Sequence, residues 1–225
     1  AEYICLPADQ AVKMPSSMSF EHGACLGIPG LTAAQLICMQ SNIEEKTIFI
    51  SGGNGAVGHL AIQLAKYRGA QIIATARAGK VEKLKDLGAD FVLDYADPEL
   101  DKKVLECAPK GVDYAVEVEF GENINIIPKI MRAMGTVSIY GSGKNMNPQF
   151  PFGEYLFKSL TLNIILVYLM PTPLRKRLIK IIHDAYIKNA LFPSIDSIYE
   201  LGDCAKAHEQ VIKPGRNGTV LLKID

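Results

Sequence analysis

The sequence predicts an α/β fold in which helices cover both faces of a doubly wound parallel sheet. Three observations support this prediction. Short runs rich in β-branched and aromatic residues alternate with segments of helical hydrophobic spacing along most of the chain. Several of these runs are apolar on both faces, as buried parallel strands must be. A glycine-dense turn, SGGNGAVG at residues 51–58, joins the first run to the clearest helical segment.

Six short runs predict the strands of the sheet. The predicted strands are 47–51, 71–76, 91–95, 112–118, 135–141 and 160–167. The last, LTLNIILV, contains no proline, glycine or charge and follows the fifth strand, so we expect it at an outer edge of the sheet. An unprotected edge exposes a row of backbone donors and acceptors. Two-fold pairing with the same strand of a second subunit would satisfy them, which predicts a homodimer through residues 160–167.

Five segments with helical spacing of apolar residues predict the helices. They are 56–68, 80–87, 97–107, 123–134 and 172–189. In the first segment the apolar stripe consists of Val57, Leu60, Ala61, Leu64 and Ala65. We expect this stripe to pack on the sheet.

Composition excludes several classes of protein. Lysine plus arginine and aspartate plus glutamate both number 24, so the basic surface of a nucleic-acid binder is not expected. No apolar run is long enough to span a membrane and no secretory signal opens the chain, which predicts a cytoplasmic location. The five cysteines form no CxxC pair and are expected to be reduced and mostly buried. The four histidines have no ligand spacing, so we expect surface or capping roles for them.

The glycine-dense turn matches the dinucleotide fingerprint of the Rossmann fold. Gly53, Gly55 and Gly58 form G-x-G-x-x-G directly after a predicted strand and before a predicted helix. The first glycine permits the tight turn, the second lets the backbone approach a pyrophosphate, and the third lets the helix pack closely. Backbone N–H groups around Ala56 and Val57 would then face the phosphates. The alternatives are an ordinary glycine-rich turn or the glycine loop of a methyltransferase.

The end of the second strand predicts the cofactor. An NAD site places an acidic residue about 20 residues after the glycines to hold the ribose hydroxyls. No acidic residue occurs between Lys46 and Val81, and the strand is followed by Arg77 and Lys80. Two cations at this point favour the 2′-phosphate of NADPH. The alternative is that both are ordinary surface charges at the start of a helix.

Three stretches carry a family resemblance. They are AEYICLPADQAVKMPSSMSFEHGACLGIPGLTAAQL, SGGNGAVGHLAIQLAK and AHEQVIKPGRNGTVLLKI. Together they resemble the zinc-independent, zeta-crystallin-like quinone oxidoreductases of the medium-chain dehydrogenase/reductase superfamily. The resemblance implies that residues 1–30 are the remnant of a truncated catalytic domain, that 31–195 form the dinucleotide-binding domain, and that 196–225 return toward the catalytic domain.

The resemblance also assigns cofactor-binding positions. Thr32 matches a threonine near the nicotinamide, and Lys80 and Tyr95 match residues that hold the adenosine 2′-phosphate and ribose. Tyr140 and Ser142 lie in the loop after the fifth strand, which borders the cofactor in that family. The sequence departs from the family at Gly218-Thr219-Val220, where relatives often have Gly-Lys-Val, so a phosphate contact from that lysine is missing.

The activity that the resemblance implies is NADPH-dependent hydride transfer to a small-molecule acceptor, a quinone or an α,β-unsaturated carbonyl compound. No metal is expected, because Ile28 stands where zinc-dependent relatives have a cysteine ligand and only Cys25 is near. No catalytic side chain is identified, and the fragment is expected to bind cofactor without turnover. The alternatives are a non-catalytic nucleotide- or RNA-associated relative and a zinc alcohol dehydrogenase.

Overall fold

Helices and strands alternate along the chain in the computed structural model, which describes residues 3–77, 81–213, 216 and 218–224. The strands are β1 (Thr47–Ile50), β2 (Gln71–Ala76), β3 (Phe91–Asp94), β4 (Val112–Glu117), β5 (Met131–Ile139), β6 (Thr161–Ile164), β7 (Ile195–Glu200) and β8 (Thr219–Lys223). The helices are α1 (Phe20–Cys25), α2 (Ile28–Cys38), α3 (Ala56–Tyr67), α4 (Val81–Asp86), α5 (Leu100–Cys107), α6 (Phe120–Asn123), α7 (Ile127–Ile130), α8 (Phe152–Phe157), α9 (Thr172–Ile187) and α10 (Cys204–Ile212).

Six strands form one parallel sheet in the order β3-β2-β1-β4-β5-β6. The order reverses between β1 and β4, because the chain first winds outward through β2 and β3 and then returns to the other side of β1. This confirms the predicted doubly wound sheet. In open sheets of this type the strand connections diverge at the reversal, which leaves a crevice at the carboxyl ends of the strands where ligands bind.

Two apolar cores cover the two faces of the sheet. Neighbouring residues of one strand alternate between them: Ile48 and Ile50 belong to the core shared with α2, α3 and α9, whereas Phe49 belongs to the core shared with α5 and α7. Ile72 and Ile73 of β2 divide in the same way, and both are fully buried. The two-sided apolar strands therefore have the burial that the sequence predicts.

The predicted helix at 123–134 is wrong in its extent. The structure has two four-residue helices there, α6 and α7, and β5 already begins at Met131. Pro128 lacks the N–H that a continuous helix would need for its bond to residue 124. Met131 instead pairs with Val112, and the register shifts before Thr136 pairs with Tyr114. Sheet pairing has overridden the helical spacing of these apolar residues.

The predicted strand at 160–167 is an edge strand, but a shorter one. β6 ends at Ile164, and a 3₁₀ turn follows at Val167–Leu169. The position at the edge of the sheet is as predicted, since β6 pairs only with β5 among the described residues. Ile164 is 76% exposed, whereas Ile165 is 9% exposed and joins the core. The edge therefore offers about half the length that the sequence predicts.

The segment after α9 is fixed to α3 by a mutual amide pair. The side chain of Gln63 donates from Nε2 to the Phe192 carbonyl at 2.9 Å, and the Phe192 N–H donates to Gln63 Oε1 at 2.8 Å. His59, one turn earlier on α3, lies 3.0 Å from the same carbonyl through Nε2. Two residues later Ser194 accepts the N–H of Thr219 at 2.8 Å, where β7 and β8 form a separate parallel pair.

Two expectations about side chains need correction. Only Cys25 is buried, while Cys5 is exposed and the other three cysteines are half-buried, and all five are unpaired thiols. His59 is 5% exposed and therefore neither a surface nor a capping residue. In the described parts of the chain, no helix is both long enough and apolar enough to cross a bilayer.

Candidate functional site

The glycine loop between β1 and α3 turns at Gly52. Gly52 has a φ of +65°, a conformation that favours glycine, and a Cβ there would lie 2.9 Å from Val118 Cγ1. Gly53, to which the sequence assigns the turn, does not have a positive φ in the structure. Its N–H donates to the Thr75 carbonyl at 2.8 Å and ties the loop to β2. The turn therefore belongs to Gly52, which lies outside the fingerprint.

The three fingerprint glycines have different surroundings. A Cβ on Gly53 would lie 2.7 Å from Leu84 Cδ1, and one on Gly58 would overlap the carbonyl oxygen of Gly52. Gly53 thus allows Leu84 of α4 to pack against the loop, and Gly58 allows α3 to approach the loop closely. A Cβ on Gly55 would meet only the Gly52 carbonyl oxygen, at 3.3 Å, and Gly55 itself is exposed. The space beside Gly55 is open, as a pyrophosphate requires.

The amino end of α3 is free to receive an anion. Gly55 is the N-cap and supplies no side-chain hydrogen bond, so the first N–H groups of the helix, at Ala56 and Val57, have no side-chain cap. The helix is 12 residues long and carries no acidic residue in its first turn. Uncapped N–H groups and the positive end of the helix dipole together favour a phosphate at this point.

The carboxyl ends of β2 and β3 lie side by side. Ala76 pairs with Asp94, and the Tyr95 N–H donates to the Ala76 carbonyl at 3.2 Å. Arg77 is exposed directly after β2, and Tyr95 is 50% exposed directly after β3. These two predicted site residues thus flank the same edge, while Lys80 lies outside the described residues. Asp94 Oδ1 accepts the Ala96 N–H at 2.9 Å, so this acid caps its own turn.

Thr32 lies on α2 and is 6% exposed. Its hydroxyl donates to the Ile28 carbonyl at 2.8 Å, one turn earlier on the helix. The proton of the hydroxyl is therefore used within α2, and only the oxygen lone pairs stay available to a ligand. Ile28 is 51% exposed at the start of the helix.

Ser142 forms hydrogen bonds within the protein rather than facing the crevice with a free hydroxyl. Its Oγ accepts the Gly121 N–H at 2.8 Å and donates to the Asn145 carbonyl at 2.5 Å. Tyr140 is half-buried against the core of α2, α3 and α9, and burial raises the pKa of its hydroxyl. Both residues follow β5, as predicted, but Ser142 joins the loop after β5 to the loop after β4.

Glu117 at the end of β4 is a site residue that sequence reasoning missed. Its side chain is 0% exposed, and Oε1 accepts three hydrogen bonds, from Ser51 Oγ, the Glu119 N–H and Asn123 Nδ2. Burial raises the pKa of this carboxyl above its usual range, against the lowering effect of the donors. A signal was present in the sequence, since a glutamate ends a strand whose preceding residues are mostly apolar.

The predicted residues divide into two groups. The carboxyl edge of the sheet brings together the glycine loop with the start of α3, Arg77, Tyr95, and the Tyr140–Ser142 loop, each at the end of its own strand. Thr32 stands on α2, which packs along α3 on one face of the sheet. Within the described residues, no group of three or more histidine, cysteine, aspartate or glutamate side chains could hold a metal ion.

A family model described as zinc-binding dehydrogenase matches residues 56–184, which is more than half of the chain. The chain belongs to this family. Within the medium-chain dehydrogenase/reductase superfamily it is quinone-oxidoreductase-like, in agreement with the resemblance of its sequence motifs. The matched segment begins at the first residue of α3 and extends into α9.

Individual relatives of the zinc-binding dehydrogenase family cover nearly the whole chain. A chloroplastic quinone-oxidoreductase homolog of Spinacia oleracea is 27% identical over 229 residues, which is 99% of this chain and 68% of the relative. A solved NAD-dependent alcohol dehydrogenase has a TM-score of 0.89 at 25% identity and covers 100% of this chain and 65% of its own. The quinone oxidoreductase of Pseudomonas syringae pv. Tomato DC3000 has a TM-score of 0.87 at 25% identity, with 97% of this chain and 69% of its own covered.

The chain is shorter than the family members it matches. The matches cover 68%, 60% and 51% of the length of three curated relatives, from spinach, Drosophila melanogaster and Arabidopsis thaliana. The activity of a whole family member therefore comes to this chain only as a proposal.

Proposed function

We propose that this chain is the nucleotide-binding part of an NADPH-dependent oxidoreductase that transfers a hydride to a quinone or an α,β-unsaturated carbonyl compound. The observation that carries the proposal is the geometry of the glycine loop at the carboxyl edge of the sheet. There the open position beside Gly55 meets the uncapped amino end of α3. A pyrophosphate fits this combination of space, N–H donors and helix dipole.

The preference for NADPH rests on the residues that end β2. No acid lies in β2 or directly after it, and Arg77 is exposed there, able to make a bidentate contact with a phosphate. The nearest acid along the edge, Asp94, is hydrogen-bonded to its own turn. The preference is argued from these residues alone, since the similar solved structures include both an NAD-dependent alcohol dehydrogenase and a quinone oxidoreductase.

The proposed reaction needs no metal. Ile28 stands at the position of a zinc ligand in zinc-dependent relatives, and its side chain has no lone pair to donate. Cys25, the nearest cysteine, is 1% exposed, and burial raises the pKa of its thiol, which disfavours the thiolate that zinc requires. Bound NADPH would supply the hydride, while this chain binds and orients the dinucleotide.

Further parts of the proposal concern organisation and location. We propose residues 31–195 as the dinucleotide-binding domain, flanked by segments of a catalytic domain at 1–30 and 196–225. We also propose a homodimer through β6 and a cytoplasmic location, although one relative is chloroplastic and another mitochondrial. The small-molecule acceptor would lie between the two domains, and neither a membrane nor a nucleic acid is needed.

Turnover by the full-length protein tests the proposal. The full-length protein would be mixed with NADPH and a panel of quinones and enals, and NADPH oxidation would be followed by absorbance. Oxidation with at least one acceptor class is expected, and it should survive chelation. Binding of NADPH without turnover of any acceptor would favour a non-catalytic relative, and stoichiometric zinc lost together with activity would favour a zinc alcohol dehydrogenase.

A further inference from the structure

We propose that Glu117 is a positioning residue of the crevice, whose single acceptor atom Oε1 holds the glycine loop and the loop after β4 in the arrangement that binds the dinucleotide. This inference rests on the proposed function, since it concerns the same crevice. Glu117 touches no reacting group, and its effect would pass through the loops that it joins.

The first step of the argument is the origin of the donors to Glu117. Ser51 directly precedes the glycine loop and donates from Oγ at 2.7 Å. The Glu119 N–H donates from the loop after β4 at 2.8 Å, and Asn123 Nδ2 donates at 3.0 Å from the end of α6, which follows that loop. Ser51 Oγ also accepts the Val118 N–H at 2.9 Å. One buried oxygen thus joins the two loops on either side of the reversal in strand order.

The second step is the asymmetry of the carboxyl group. Oε2 of Glu117 is buried and has no hydrogen-bond partner among the described residues, whereas Oε1 has three donors. Only one oxygen of this carboxyl group therefore accepts hydrogen bonds from the described part of the protein. Glutamine has the same length and keeps a carbonyl acceptor, so it should reproduce the contact that matters.

The third step is the continuation of the contact to the loop after β5. Glu119, whose N–H bonds to Glu117, accepts the N–H groups of Gly143 and Lys144 at 3.2 and 3.0 Å. The Gly121 N–H, in α6 directly after that loop, donates to Ser142 Oγ at 2.8 Å. Three loops that border the crevice are therefore linked in series through Glu117 and Glu119, and a fault at Glu117 should displace all three.

The same strand offers a matched control. Asp113, at the other end of β4, is 9% exposed and accepts the Thr47 N–H at 2.8 Å through Oδ2 and contacts Arg132 Nη1 at 2.8 Å through Oδ1. It is a hydrogen-bonded acid of comparable burial, but it lies at the amino end of the strand, away from the crevice. Its loss should destabilise the fold without changing the crevice.

The experiment is NADPH titration by fluorescence, with thermal unfolding of each variant, on the 225-residue chain. Glu117→Ala should weaken NADPH binding by about tenfold or more, because three donors lose their acceptor. Glu117→Gln should stay within about threefold of the wild type, and Asp113→Ala should lower the melting temperature yet bind NADPH within about twofold. Should Glu117→Ala not fold, Ser51→Ala and Asn123→Ala each remove one donor and should each weaken binding by about two- to fivefold.

The outcomes separate the inference from the proposed function. Equal weakening of NADPH binding in Glu117→Ala and Asp113→Ala, or no rescue by Glu117→Gln, would overturn the positioning role of Glu117. The proposal that the wild-type chain binds NADPH would still stand. Failure of the wild-type chain to bind either NADPH or NADH would overturn the proposed function, and this inference with it.

Discussion

The carbonyl oxygen of Gly52 occupies the place that a Cβ on residue 58 would need, and the Cα of Gly53 lies 2.9 Å from the same point. Both neighbours are backbone atoms, so they cannot move aside as a side chain would. Gly55, three residues earlier, has only one neighbour within reach, at 3.3 Å. The close contacts at Gly58 therefore concern the fold, whereas Gly55 lies at the position that we propose for the pyrophosphate.

Alanine substitutions should separate these two roles. Gly58→Ala is expected to lower the free energy of unfolding by more than about 2 kcal/mol, because α3 must move away from the loop. Gly55→Ala should change that free energy by less than about 1 kcal/mol but weaken NADPH binding about tenfold, since the methyl group fills the space for the pyrophosphate. Urea unfolding measures the free energy, and NADPH titration measures the affinity. A Gly58→Ala variant that mainly loses NADPH affinity, together with a Gly55→Ala variant that mainly loses stability, would contradict these roles.

Removal of the two cations after β2 should reduce affinity for NADPH selectively. Replacing Arg77 and Lys80 with alanine removes charge-assisted contacts to the 2′-phosphate, at a cost of about 1.5–3 kcal/mol. NADH lacks that phosphate, so its affinity should stay the same. Lys85→Ala, which removes an exposed cation elsewhere on α4, is the control. Equal affinity of the wild type for NADH and NADPH would contradict this interpretation of the strand end.

A charge on the exposed edge of β6 should split the proposed dimer. Ile164 is 76% exposed at the end of the strand, and Ile164→Lys would place an ammonium group in the paired edge. Ile165 is unsuitable for this test, because it is 9% exposed and a lysine there would disrupt the core. Ile212→Lys, on the 80% exposed side chain of α10, is the control. Light scattering at micromolar concentration should show a wild-type dimer, and a wild-type monomer would refute the proposal.

Folding stability should fall in mild acid because of His59. Burial lowers the pKa of His59 to about 4, from an ordinary value of 6.5. Between these values the unfolded chain binds a proton that the folded chain does not, so this contribution to stability is present above pH 6.5 and is lost as the pH falls. At pH 5 this effect lowers the free energy of unfolding by about 2 kcal/mol relative to neutral pH.

Urea unfolding at pH 7.5 and 5.0 tests the role of His59. Between pH 7.5 and pH 5.0, the free energy of unfolding of His59→Gln should fall by about 2 kcal/mol less than that of the wild type. A variant at the exposed His208 should show the same fall as the wild type. An unchanged pH dependence in His59→Gln would show that the loss has another origin.

The doubly wound sheet and most of its strands could be predicted because the two-sided apolar runs and the glycine turn are local signals. The boundary between α7 and β5 could not be predicted, because Ile130 and Met131 are compatible with a helix or a strand. The pairing of Met131 with Val112, which is remote in sequence, places Met131 in the strand. The turn at Gly52 was missed because the fingerprint counts spacing and does not show which glycine takes a positive φ.

The candidate site was predicted in outline but not in its internal contacts. The glycine loop, Arg77 and Tyr95 could be placed because each follows a strand directly. Ser142 could not be assigned to loop contacts, since its partners Gly121 and Asn145 lie on two different loops. Glu117 was missed for the same reason: Ser51, its closest donor, is 66 residues away in the sequence.

The amide pair between Gln63 and Phe192 has a consequence for solvent exchange. Phe192 lies outside regular secondary structure, where amide protons usually exchange readily with solvent. Its N–H is held by a side chain that belongs to α3, so its deuterium uptake should follow the opening of that helix and not the motion of the loop around it. The exchange of the Phe192 amide thus reports on the opening of α3. A dinucleotide bound at the amino end of α3 would slow this exchange without contacting Phe192.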